Sequence, residues 1–135
     1  MKRIATRSLG LLMAVLCLFA AFPVTASAKA PDTAGVQYTG FSLIYADIDI
    51  QSGRASCYGY ADLYDGYTAT LTVHLMKDGT SYTSWSKSGS GELRIDEYYY
   101  VPSHHNYTTR VEVDVTDSNG VTYPTQSIET NVFRY

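Results

Sequence analysis

Disulfide bonds are the first thing this sequence cannot supply. It holds two cysteines in 135 residues, and Cys17 lies in a leader that processing would remove. Cys57 is then left without a partner in its own chain, although an oxidising compartment would permit one. Stability must come from burial and strand pairing. Positive charge is also sparse. Lys and Arg number 10 against 13 Asp and Glu, and Lys2, Arg3 and Arg7 belong to the leader, so the processed chain carries a net charge of −6. A chain this acidic has no basic stripe for a phosphate backbone, so nucleic acid is not an expected partner. The same sign disfavours anionic membrane surfaces. Beyond the leader no apolar run approaches the roughly 20 residues that cross a bilayer, and nothing carries a helical period.

The leader itself is well formed. Leu9 to Phe22 is an uncharged apolar run behind the basic n-region, and Ala26-Ser27-Ala28 supplies the small-x-small pattern that signal peptidase accepts. Leu16 before Cys17 is too large for a lipid-attachment site. The expected organisation is a signal peptide over residues 1–28 cleaved after Ala28, a flexible polar arm over 29–37, and one domain over 38–135. The product is expected to be secreted, with no membrane span in the mature chain.

What fills the domain is β-forming sequence. Thirteen tyrosines stand among many threonines and valines, with turn signals about every ten residues. Ile44-Ala46-Ile48-Ile50, Leu71-Val73-Leu75 and Val111-Val113-Val115 alternate with polar residues, the pattern of a strand buried on one face. Gln51-Ser52-Gly53, Asp65-Gly66, Asp78-Gly79, Ser88-Gly89-Ser90-Gly91 and Asn119-Gly120 separate the segments. They delimit strands near 44–50, 54–63, 68–77, 82–87, 92–101, 107–116, 121–127 and a short 131–135. One open sheet would leave its apolar face wet, so two sheets packed face to face are expected, an all-β sandwich of about seven principal strands.

An immunoglobulin-like form of that sandwich is suggested by particular residues. Ala55, Cys57, Gly59 and Ala61 give the second strand a small inward face that resembles an immunoglobulin B strand. Tyr107 precedes the Val111-Val113-Val115 strand as a corner tyrosine precedes strand F. The Tyr107 strand carries no second cysteine, and Leu71 stands where such a domain places its tryptophan. More widely, the SGRASCYGYADL strand, the YTATLTVHL strand, a Trp-Ser segment before SGSG and the YTTRVEVDVTDSNG ending resemble a family of small secreted β-rich proteins of Gram-positive gut bacteria. The resemblance implies secretion and a β-rich fold, and it brings no catalytic residue with it.

Reactive chemistry is poorly provided for. His104-His105 invites a metal, but zinc needs three or four converging ligands, and only His74, Cys57 and scattered carboxylates could complete a set. Asp47 and Asp49 lie on one strand face about 6.6 Å apart. They project in parallel, whereas a glycosidase flanks its sugar from opposite sides. DIDIQSG fails as a calcium loop because its sixth and twelfth positions are Ser52 and Tyr58. No G-x-S-x-G elbow occurs, and Cys57 reads as a buried structural thiol. No cofactor, metal site or catalytic residue is expected. The enzymatic alternative is a small hydrolase using His104, His105 and an acid brought near by folding.

Aromatic surface remains. Tyr58 and Tyr60 alternate with the small inward face of the second strand, and Tyr98 and Tyr100 alternate with Leu93, Ile95, Tyr99 and Val101 on the fifth. If those strands are neighbours, the four rings make one exposed patch. A two-residue Asp78-Gly79 turn would pair Thr72 with Trp85 and send the tryptophan outward as a stacking platform, whereas a one-residue shift would bury it, the commoner fate of a lone tryptophan. Tyr58, Tyr60, Tyr98, Tyr100 and Trp85 are therefore the candidate ligand-binding residues. The expected function is a secreted, monomeric, non-catalytic binding module for a glycan or an extracellular protein. A protein-binding or self-assembling surface component is the alternative.

Overall fold

Alternation becomes geometry most plainly in β2 (Arg54–Leu63), where buried and half-exposed side chains follow one another without a break from Ala55 to Leu63. The structure, a computed structural model, describes residues 38–135. The signal peptide, its cleavage after Ala28 and the polar arm lie outside them. Around β2 run β1 (Phe41–Gln51), β3 (Tyr67–Lys77), β4 (Thr80–Gly89), β5 (Glu92–Tyr100), β6 (Asn106–Asp117), β7 (Gln126–Glu129) and β8 (Phe133–Arg134). Among the described residues there is no helix, hence none long and apolar enough to cross a membrane.

The strands form two antiparallel sheets, one ordered β1-β2-β5 and the other β4-β3-β6-β7, with β8 pairing the start of β6. Two tight hairpins set the register. Ser52-Gly53 closes β1 on β2, and Asp78-Gly79 closes β3 on β4. All four residues have positive φ, between 50° and 81°, the paired left-handed conformation whose twist matches the strands it joins. The sheets meet through Ile44, Ile50, Ala55 and Cys57 on one side and Leu71, Val73, Val111 and Val113 on the other. Gly59 marks their closest approach. A Cβ placed there would stand 2.3 Å from Val73 Cγ2 and 3.0 Å from Val111 Cγ2. The small residues of β2 are therefore what lets the valines of the opposite sheet come in.

Tyr107 anchors the corner between β5 and β6. Its ring is fully buried, and its hydroxyl donates to the Pro102 carbonyl at 2.6 Å, satisfying the one polar atom that burial would otherwise strand.

Several expectations need correction. The strand expected over 121–127 is displaced to β7, Gln126–Glu129, with Thr122 making a single bridge to Thr116. Asp117 is the cause: its Oδ1 accepts the Asn119 and Val121 amides and holds the chain in a loop, and Pro124 has no N–H to give a ladder. The final strand shrinks to Phe133–Arg134. The β3–β4 ladder keeps the predicted register only at Lys77–Thr80 and Met76–Ser81. A bulge then pairs Leu75 with Thr83 and Val73 with Trp85, one residue out of the two-residue-turn alignment. Tyr99 has the inward parity expected of it but is 44% exposed, with only the bulge residue Tyr82 as its ring partner, while Val101 beyond it is buried.

Candidate functional site

The outer face of the β1-β2-β5 sheet is built by register. Tyr45 pairs with Tyr60, Tyr58 stands between Asp47 and Asp96, Ser56 pairs with Tyr98, and Arg54 with Tyr100. Paired residues share a face, so Tyr58, Tyr60, Tyr98 and Tyr100 lie on one sheet surface, with Tyr45 as a fifth ring. They cross it diagonally, from Tyr45 on one outer strand to Tyr100 on the other. Three two-residue steps along the strands separate the ends, about 20 Å at normal strand rise.

The rings support one another. Tyr45 meets Tyr58 edge-on with centroids 6.0 Å apart, and Tyr98 meets Tyr100 likewise at 6.0 Å, the geometry in which a positive ring edge faces a negative ring face. The Arg54 guanidinium lies 3.8 Å over the Tyr98 ring. Side chains held this way lose less rotamer freedom when a ligand arrives. Burial, with Glu92 and Asp62 adding to it, pushes the Tyr60 hydroxyl above its ordinary pKa. It therefore stays protonated and able to donate. Asp47 and Asp49 border the stripe on β1, where their oxygens accept the Ile48 amide and the Gln51 side chain. They are solvated strand charges, not a facing pair.

Trp85 does not join this face. Opposite Val73 on the inner side, it is half-buried and packed against the core. Together with Ser86 and Lys87 it faces Arg94 to Glu97 of β5 across a groove between the two edge strands. A bulge cannot be read from turn chemistry alone, so the two-residue-turn alignment sends Trp85 outward, whereas the inward side it takes is the commoner one for a lone tryptophan. Tyr45 was within reach of sequence reasoning, since it shares parity with Asp47 and Asp49. Tyr82 was not: it is the extra residue of the bulge, and it meets Tyr99 edge-on at 5.5 Å.

Folding does bring an acid to a histidine. His105 Nδ1 lies 2.6 Å from Asp78 Oδ2, and the other Asp78 oxygen accepts the Asn106 amide. That amide first, and the His105 ring second, hold the Asp78 carboxyl below the usual range. The backbone of His105 is in turn doubly bonded to Tyr135. The pair thus tethers the β3–β4 turn to the β5–β6 loop and the chain end. Among the described residues no hydroxyl or thiol joins His105 as a nucleophile would. His74 bridges Glu112 and Ser81 at 3.3 Å each, a surface contact on the other sheet. Cys57 is buried and its thiol pushed up by that burial, only partly opposed by the Thr109 hydroxyl. No group of three or more potential metal ligands occurs among the described residues. In sequence, the chain matches no protein-family model and no curated protein.

Proposed function

We propose that this chain is a secreted, non-catalytic binding module with an immunoglobulin-like sandwich, and that it takes up a glycan along the tyrosine diagonal of its β1-β2-β5 sheet. The immunoglobulin-like reading is supported by the strand order, with β2 beside β5 and β3 beside β6, and by the Tyr107–Pro102 corner bond. The secreted setting follows the leader and the family resemblance. One observation carries the functional reading: five tyrosines lie on one outer face, in one diagonal, four of them held in edge-to-face pairs. Flat ring faces stack on the apolar faces of sugars, while tyrosine hydroxyls donate and accept, and the bordering carboxylates accept, the hydrogen bonds that sugars require. The border carries Asp47, Asp49, Asp62, Glu92 and Asp96 against Arg54 and Arg94, so a neutral or amino-substituted glycan fits and a polyanionic one is repelled.

The test is a screen of the processed protein against a glycan array and purified cell-wall fractions. Wild-type binding should be lost in the Tyr58→Ala/Tyr98→Ala double variant and weakened in Tyr45→Ala. Retention of binding by the double variant would remove this face from consideration. A second reading, capture of a protein partner by strand addition, is favoured by β4 and β5, each an edge strand of its sheet among the described residues and lying beside each other on one flank. It predicts binding that survives loss of the tyrosines.

A further inference from the structure

At the end of β5, Glu97, Tyr98, Tyr99 and Tyr100 meet Tyr82 from the β4 bulge, and these five side chains line a hollow of about 600 Å³. The rings stand in two near-perpendicular pairs. Tyr82 and Tyr99 are 5.5 Å apart with planes at 89°, and Tyr98 and Tyr100 are 6.0 Å apart at 85°. Tyr98 and Tyr100 stand on the outer side of β5 and Tyr99 with Tyr82 on the inner, so the hollow wraps the edge of the strand and is lined by rings from both sides. Two of these rings already hold a cation of the chain: Arg54 lies 3.8 Å over Tyr98 and Lys77 Nζ 5.2 Å over Tyr82. Both cations sit over rings that line the hollow. The Glu97 carboxylate lines it too, and Glu97 makes no ion pair with another described residue.

We propose that this hollow binds a quaternary ammonium group of the phosphocholine type. A primary ammonium gives up strong hydration to enter an aromatic site. A trimethylammonium has no N–H to hydrate, so it gains the attraction of the rings and of Glu97 at little desolvation cost, and its methyls bury apolar area against the same rings. Arg54 and Lys77 at the rim supply the complementary positive charge for a phosphate carried two carbons away. The site is distinct from the glycan stripe in Tyr82, Tyr99 and Glu97, although Tyr98 and Tyr100 belong to both.

The experiment is a titration of the ¹⁵N-labelled processed protein, followed by amide shifts, with four probes at constant ionic strength. These are choline, phosphocholine, vesicles of phosphatidylcholine, and 3,3-dimethylbutan-1-ol, the neutral carbon isostere of choline. Choline should shift amides of Tyr82 and Glu97 to Tyr100, and phosphocholine should do so at lower concentration. Tyr82→Ala, Tyr99→Ala and Glu97→Gln should each weaken binding about 2- to 5-fold, the size of one exposed cation–π contact. Arg54→Gln with Lys77→Gln should erase the preference for phosphocholine over choline. Vesicle binding would assign the headgroup to a lipid, and binding of the free compound alone would assign it to a soluble or polymer-borne source. The proposal is overturned if the neutral isostere binds as well as choline, if the Tyr99 and Glu97 variants match wild type, or if choline shifts nothing at about 100 mM, the weak end of such contacts. Tyr45→Ala and Tyr58→Ala, which should weaken glycan binding, should leave the choline titration unchanged, so either reading can fail without the other.

Discussion

Replacing Gly59 with alanine adds one methyl group where the two sheets come closest. That carbon would stand 2.3 Å from Val73 Cγ2, when carbon atoms in contact prefer about 3.5–4.0 Å. The gap must therefore open by more than 1 Å, yet neither side has room. Val73 is fully buried and, being β-branched, has few rotamers to turn into. Val111 Cγ2 at 3.0 Å blocks the second direction. Overpacking of a filled core costs roughly 1–3 kcal/mol, and the backbone freedom that alanine removes from the unfolded chain offsets about 0.5 kcal/mol. A net loss of about 1.5 kcal/mol is expected. In a domain near 100 residues that lowers the melting temperature by about 6–12 °C. Thermal and urea unfolding followed by circular dichroism measures it. Val73→Ala removes the clashing methyl, so the Gly59→Ala/Val73→Ala double variant should be less destabilised than the two single changes added together, by about 1 kcal/mol or more. A Gly59→Ala protein melting within about 2 °C of wild type, or strict additivity in the cycle, would refute the argument that β2 is small in order to admit the valines.

Other expectations follow from single polar atoms. Tyr107→Phe deletes the hydroxyl that donates to Pro102 and should cost about 1 kcal/mol in urea unfolding, with the fold retained. Thr109→Val should do the opposite. Thr109 Oγ1 is fully buried and finds no hydrogen bond of good geometry beyond a weak thiol contact, so replacing it with a methyl should stabilise by about 1 kcal/mol. Acid should unfold the domain through three carboxylates. Asp78 is held low first by the Asn106 amide, Asp117 by the Val121 amide, and Glu129 by the Thr108 hydroxyl. Their stabilisation is complete above the ordinary carboxylate pKa and disappears as pH falls through the lowered values. The urea midpoint should therefore hold steady down to about pH 5 and decline below about pH 4. Asp78→Asn should flatten part of that decline. Emission from half-buried Trp85 should fall between the apolar and aqueous limits, with partial access to a collisional quencher; a fully aqueous spectrum would contradict its place opposite Val73.

Most of the architecture was written locally. Side chains alternate every second residue in a strand, so the Ile44, Leu71 and Val111 series announce their own buried faces. Asp78-Gly79 announces its hairpin, because few other residues adopt positive φ cheaply, and Gln51-Ser52-Gly53 announces a break between strands. Parity also sent Tyr58, Tyr60, Tyr98 and Tyr100 outward before any strand was placed beside another. The shortened β7 was harder to see, since it depends on Asp117 capturing amides two and four residues ahead.

Sequence alone thus indicated which side of β1, β2, β3 and β6 is apolar and where most of the turns fall. Tertiary structure decided the rest. Only the pairing of β2 with β5 joined two separate pairs of tyrosines into a single diagonal and added Tyr45 to it. Only the bulge in β4 turned Trp85 toward the core and swung Tyr82 against Tyr99. Alternation is a property of neighbours in the chain, whereas a site is made by residues some forty positions apart, and their meeting depends on a register that no local pattern carries.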